Sequence, residues 1–99
     1  MATSLIISPA ARDDLQDIFE FSAQTWGRQS AEEYLDRLSQ HIHKLLAAPR
    51  LGISRDDILP GLRSTRLARH VVFYRIEQKR VEVIRVLSER QDSSVLAQP

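Results

Sequence analysis

The side chains best suited to chemistry here are arginines. Arg63, Arg66, Arg69 and Arg75 fall between Ile58 and Ile76, a stretch without a carboxylate, and Arg85 and Arg90 follow. A planar guanidinium presents a fork of donors that fits carboxylate or phosphate bidentately. Positive charge concentrated in this way points to a negative partner: a nucleic acid, an acidic peptide or an acidic patch on another protein. The other reactive types offer less. His41 and His43 are two residues apart on a predicted helix, so they face different directions and cannot share a metal. Both are read as exposed polar residues. His70 opens a predicted strand. It could serve as a proton donor in phosphodiester cleavage, but a hydrogen-bonded structural histidine is the plainer reading. Asp13, Asp14, Asp17 and Glu20 line the exposed face of a predicted helix near its positive end. Trp26, beside Gly27, is expected to plug the end of a helical hairpin. No phosphate loop, nucleotide fingerprint, zinc motif or nucleophile elbow occurs, so no catalytic, cofactor or metal residue is assigned.

Composition bounds the rest. The 99 residues suit one domain with one modest core. The formal net charge is only +1, which argues against a dedicated nucleic-acid binder. Its distribution is uneven. Residues 1–50 hold five basic and seven acidic groups, net −2, and residues 51–99 hold nine basic and six acidic, net +3. Twelve of the fourteen basic residues are arginine, which is less costly to desolvate than lysine. There is no cysteine, which excludes disulfides and thiolate metal sites. Leu5-Ile6-Ile7 is too short for a signal peptide or membrane span, and a cytoplasmic location is expected.

The elements that must carry these residues follow from pattern. Ser4 to Ile7 reads as a first strand. Ser8 can cap a helix that has Pro9 at its first position, with Leu15, Ile18, Phe19 and Ser22 at helical spacing and Gly27 as its stop. Ser30 to Glu33 fits a capping box for a second helix, whose apolar face is Ala31, Leu35, Leu38, Ile42, Leu45 and Leu46. It ends before Pro49. Pro49 to Pro60 reads as a linker. Three strands are predicted at Leu62 to Leu67, His70 to Ile76 and Val81 to Leu87. Ser88 to Pro99 is a polar tail expected to fray. The fold class is therefore α+β, in the order β-α-α-β-β-β, with a helical hairpin on one face of a small, mostly antiparallel sheet. Residues 1–92 form the domain and 93–99 the flexible tail. Strict alternation puts Val72, Tyr74 and Ile76 under the helices. It leaves Val71, Phe73, Val83 and Leu87 on the other face with Arg75 and Arg85, as an apolar, arginine-dotted surface that needs a partner.

The run ARDDLQDIFEFSAQTWG, then AEEYLDRL, LLAAPRLGI, GLRSTRLARHVVFYRI and VEVIRVLSERQD, resembles the ParE-type toxins of the RelE/ParE superfamily. The likeness spans about residues 10–92. The resemblance implies a bacterial toxin of a type II toxin–antitoxin pair, one that poisons DNA gyrase and is neutralised by a ParD-like antitoxin. It implies contact with operator DNA only through the antitoxin, and a heterotetramer or larger complex. The RelE-type relatives it also resembles are ribosome-dependent mRNA endonucleases. In that branch an arginine follows the position of His70, where this chain has Val71. Ser88 stands where many relatives carry histidine, and no tyrosine or histidine follows Tyr74. The binding branch is therefore expected. RelE-type cleavage and a non-toxic member that only binds antitoxin are the alternatives. Target or antitoxin contacts are expected at Arg63, Arg66, Arg69, Arg75, Arg85, Arg90, Val71, Phe73 and Leu87.

Overall fold

The computed structural model describes residues 2–97. Gln98 and Pro99, the end of the expected tail, lie outside the described residues. Strand β1 (Ser4–Ile7) leads into helix α1 (Pro9–Trp26). Ser8 caps it: its Oγ accepts from Ala11 N–H at 3.0 Å and donates to Ile84 O at 2.8 Å. Gly27, at φ 95°, ends α1 and begins helix α2 (Arg28–Ala47). Its N–H donates to Ala23 O at 2.9 Å, while its carbonyl accepts from Ala31 N–H at 3.1 Å. One residue with positive φ thus reverses the chain, a conformation that costs glycine little. The second helix therefore starts two residues before the expected Ser30 cap, and Ser30 is already helical.

The rest of the chain builds a sheet: β2 (Ile53–Ser54), β3 (Arg63–Leu67), β4 (His70–Glu77) and β5 (Arg80–Ser88), followed by a 3₁₀ turn at Ser93–Ala97. The five strands lie in the order β1-β5-β4-β3-β2, with β1 parallel to β5 and the other pairs antiparallel. The expected α+β architecture is present. Strand β2 lies inside what pattern alone marks as linker, because two residues are too few to show a period. No helix among the described residues is long and apolar enough to cross a membrane.

Both faces of the sheet are packed. Under the helices, Leu38, Ile42 and Leu45 of α2 and Ile18 of α1 meet Val72, Tyr74, Val81, Val83 and Val86. Each such fully buried aliphatic side chain contributes about 1.5–3 kcal/mol. On the other face Leu62, Phe73 and Leu87 form a second cluster, covered by Ile58, Leu59 and Leu96. A bulge between Phe73 and Tyr74 pairs Phe73 with Arg85 but Tyr74 with Val83. The extra residue in β5 reverses the alternation after Val83. Val83 and Val86 therefore both face the helices, while Ile84 and Leu87 face away. This corrects the expected grouping of Val83 with Leu87. Within the expected tail, Leu96 packs on the second cluster.

Candidate functional site

The six expected arginines do not form one cluster, because β3, the β3–β4 turn, β4, β5 and the turn after it send them different ways. Arg63 pairs in register with Tyr74 on the helix side. It donates to Gly52 O at 2.6 Å and Arg50 O at 3.2 Å, fastening the segment before β2. Arg85 reaches α1, where its Nε and a terminal nitrogen donate to Asp14 at 2.7 and 2.8 Å. Both are structural fasteners, not free cations. Arg66 and Arg75 lie on the face away from the helices. Arg66 is paired with Glu89, and Arg75 with Glu82 at 2.7 Å and Glu77 at 3.7 Å. Their partners are Glu82 of β5, Glu77 at the end of β4 and Glu89 just past β5, all outside residues 58–76. The hydrogen bond that Arg75 donates to Glu82 is the main reason that its guanidinium holds its proton above the usual range. Phe73 and Leu87 are 3% and 1% exposed. The expected apolar face is thus closed over by the chain itself at those two residues, and Val71 is half-buried at its margin.

Arg69 and Arg90 go elsewhere. With Arg37 of α2 they line a groove of about 850 Å³ between the helical hairpin and the end of the sheet. The hairpin side is apolar: Phe21 and Trp26 of α1 line the groove beside Ile18, which packs in the core with Val86 of β5. Phe21 and Trp26 are 63% and 59% exposed and stack edge to face with ring centroids 6.0 Å apart. Trp26 therefore projects from the hairpin tip instead of plugging it. The one-residue Gly27 joint leaves no loop beneath which the indole could tuck. Among the described residues, Arg37, Arg69 and Arg90 make no ion pair, whereas Arg28, Arg55, Arg66, Arg75 and Arg85 all do.

At the groove floor the Tyr34 hydroxyl lies 2.5 Å from His70 Nδ1. Burial is the main influence on both. It lowers the His70 pKa against the opposing charge of Glu89, and raises that of Tyr34 against the backbone of Arg69 and the charges of Arg37 and Arg69. His70 is thus held neutral with Tyr34 donating to it, as a hydrogen-bonded structural histidine would be. His41 is not the free surface residue expected: its Nε2 shares a 3.0 Å hydrogen bond with Thr65 Oγ1, and burial lowers its pKa. His43 is exposed and bonds Ser39 O at 2.8 Å. The groove residues that residue-type reasoning missed are Phe21, Tyr34 and Arg37. For Tyr34 and Arg37 the signal was present in the α2 stripe Ser30, Glu33, Tyr34, Arg37, which has helical spacing.

A family model described as the ParE toxin of the type II toxin–antitoxin system parDE matches residues 5–93. The chain belongs to the ParE toxin family. Toxin ParE1 of Mycobacterium tuberculosis is 37% identical over 93 residues, spanning 93% of this chain and 95% of that protein. Toxin ParE1 of Caulobacter vibrioides is 36% identical over 87 residues, spanning 88% and 90%. The solved structure described as a chromosomal ParDE system from P. aeruginosa superposes with a TM-score of 0.78, covering 87% of this chain and 95% of that one at 20% identity. That likeness supports the fold. The chain is the toxin component of a type II toxin–antitoxin system.

Proposed function

We propose that this toxin blocks replication by binding DNA gyrase, acts in the cytoplasm without catalysing a reaction, and is held inactive by a ParD-like antitoxin in a complex of two toxins and two antitoxins. The match of residues 5–93 to the ParE family model carries this reading. The groove supports it: exposed Phe21 and Trp26 beside unpaired arginines suit a protein partner better than water. Of the residues expected to make contacts, Arg66, Arg69, Arg75 and Arg90 are exposed and Val71, Arg63 and Arg85 half-buried, and contact with operator DNA is made by the antitoxin.

Purified toxin added to gyrase and relaxed plasmid tests the reading. Supercoiling is expected to fall with toxin concentration and to recover when antitoxin is added first. Undiminished supercoiling, with messages cut on translating ribosomes instead, overturns it.

A further inference from the structure

We infer that, in the absence of antitoxin, the groove is the contact surface for a second copy of this chain, joined across a two-fold axis. Its charges are of both signs and are sorted by side. On the hairpin, Asp17 of α1 and Glu33 of α2 are exposed. Neither makes an ion pair among the described residues, and Glu33 accepts only a 3.4 Å bond from Gln29. At the end of the sheet, Arg69 in the β3–β4 turn and Arg90 past β5 are exposed and likewise make no ion pair. The other two carboxylates of the groove are engaged, Asp14 by Arg85 and Glu89 by Arg66. Arg37 of α2 offsets one of the hairpin acids, so the hairpin side keeps a negative surplus and the sheet side a positive one.

A partner that is negative throughout is repelled by Asp17 and Glu33, and one that is positive throughout by Arg69 and Arg90. The groove fits a protein surface that carries both signs beside an apolar patch, and this chain presents such a surface itself. In a two-fold contact, residue i of one copy meets residue j of the other while j meets i. A half-turn therefore sets Arg69 and Arg90 of one copy against Asp17 and Glu33 of the other, twice over. The exposed Phe21 and Trp26 of both copies leave water in the same step. Aromatic residues and arginine are the types enriched in such contacts.

Sedimentation of the full chain alone tests this. A monomer–dimer equilibrium is expected with a Kd below about 100 μM. Trp26 is the only tryptophan in the chain, so its emission should shift to the blue over the same concentration range. Trp26→Ala is expected to weaken the dimer at least about tenfold. Two double variants, Asp17→Lys with Glu33→Lys and Arg69→Glu with Arg90→Glu, should each weaken it by a similar factor. Their equimolar mixture should associate as tightly as the parent. In the mixed pair the new lysines face the new glutamates, and the untouched acids face the untouched arginines. A parent that stays monomeric up to about 1 mM overturns the proposal. So does a dimer indifferent to Trp26→Ala, a mixture as weak as its components, or open-ended assembly in place of a dimer. Thermal melts identify a variant that fails to fold. In that case salt decides on the parent alone: a dimer as tight in about 1 M salt as in about 0.05 M overturns the charge contacts. Neither gyrase nor antitoxin enters these measurements, so the outcome is independent of the proposed function.

Discussion

Asp14 and Arg85, 71 residues apart in sequence, are joined by two hydrogen bonds of 2.7 and 2.8 Å, and the same carboxylate accepts the Val86 N–H at 2.9 Å. The reason lies in strand lengths. β1 pairs with β5 only as far as Ile7 opposite Val83, so the backbone of β5 beyond that point has no strand on its outer side. Ser8 and Asp14 of α1 supply the missing partners, with Ser8 Oγ donating to Ile84 O. Asp14 is 9% exposed, and removing it would leave Val86 N–H and Arg85 without acceptors. Asp14→Ala is expected to cost about 3 kcal/mol, read by urea denaturation. A loss below about 0.5 kcal/mol, the range of an inert surface change, would show that the carboxylate is dispensable.

Tyr74 is fully buried, and its hydroxyl donates to Pro49 O at 2.7 Å and accepts from Gly52 N–H at 2.9 Å. This holds the segment between α2 and β2 against the sheet. Tyr74→Phe would strand both backbone groups, and about 1–3 kcal/mol should be lost. Gly52→Ala is expected to be worse, because a Cβ there would meet the Tyr74 oxygen at 2.8 Å and the backbone of Ser64. Thermal melts of the two variants, ranked in that order, test the arrangement. A Gly52→Ala protein as stable as the parent would refute it.

Much of this fold was legible in the sequence. Ser8-Pro9, Gly27 and Pro49 punctuate the helices through backbone rules that hold locally. The apolar stripe Ala31, Leu38, Ile42, Leu45 gave the face of α2 that is buried, and the parity of Val72, Tyr74 and Ile76 placed them on the helix side. What failed was non-local. The bulge at Phe73 and Tyr74 shifts register between strands, and nothing in VEVIRVL announces it. The cover over Phe73 and Leu87 comes from Ile58, Leu59 and Leu96, drawn from a loop and a tail that composition alone marks as solvated. Arginine counting could set Glu77, Glu82 and Glu89 beside the charge as partners on a solvated face, but not Asp14, which reaches Arg85 only through folding.

That division separates the arginines by experiment. Arg66 and Arg75 sit in exposed pairs, which contribute about 0–1 kcal/mol. Arg66→Gln and Arg75→Gln are therefore expected to leave stability nearly unchanged. Arg63→Ala removes two hydrogen bonds to the backbone of Arg50 and Gly52 and should destabilise by about 1–3 kcal/mol. Chemical denaturation of the three proteins decides it. If Arg63→Ala matches the other two, the Arg63 bonds to Arg50 and Gly52 do not fasten that segment.

Stability should also fall in weak acid, and the sign follows from the histidines. Burial lowers the pKa of both His41 and His70 from the ordinary imidazole value of 6.5. The unfolded chain then binds more protons than the folded one below that value, so stability rises with pH. The contribution is complete above about pH 6.5 and is lost as pH falls below it, through the lowered folded values. His70 also faces Glu89, which opposes the effect, and shares its groove with Arg37, Arg69 and Arg90, which do not. The carboxylates with lowered pKa, Asp56, Asp57 and Asp92, start from 3.8 and act in a more acidic window. Melting temperature is expected to drop between about pH 7 and about pH 5, and His70→Gln should flatten that slope. A parent protein whose melting temperature is level across this range would mean that His70 is not held neutral by its burial beside Tyr34.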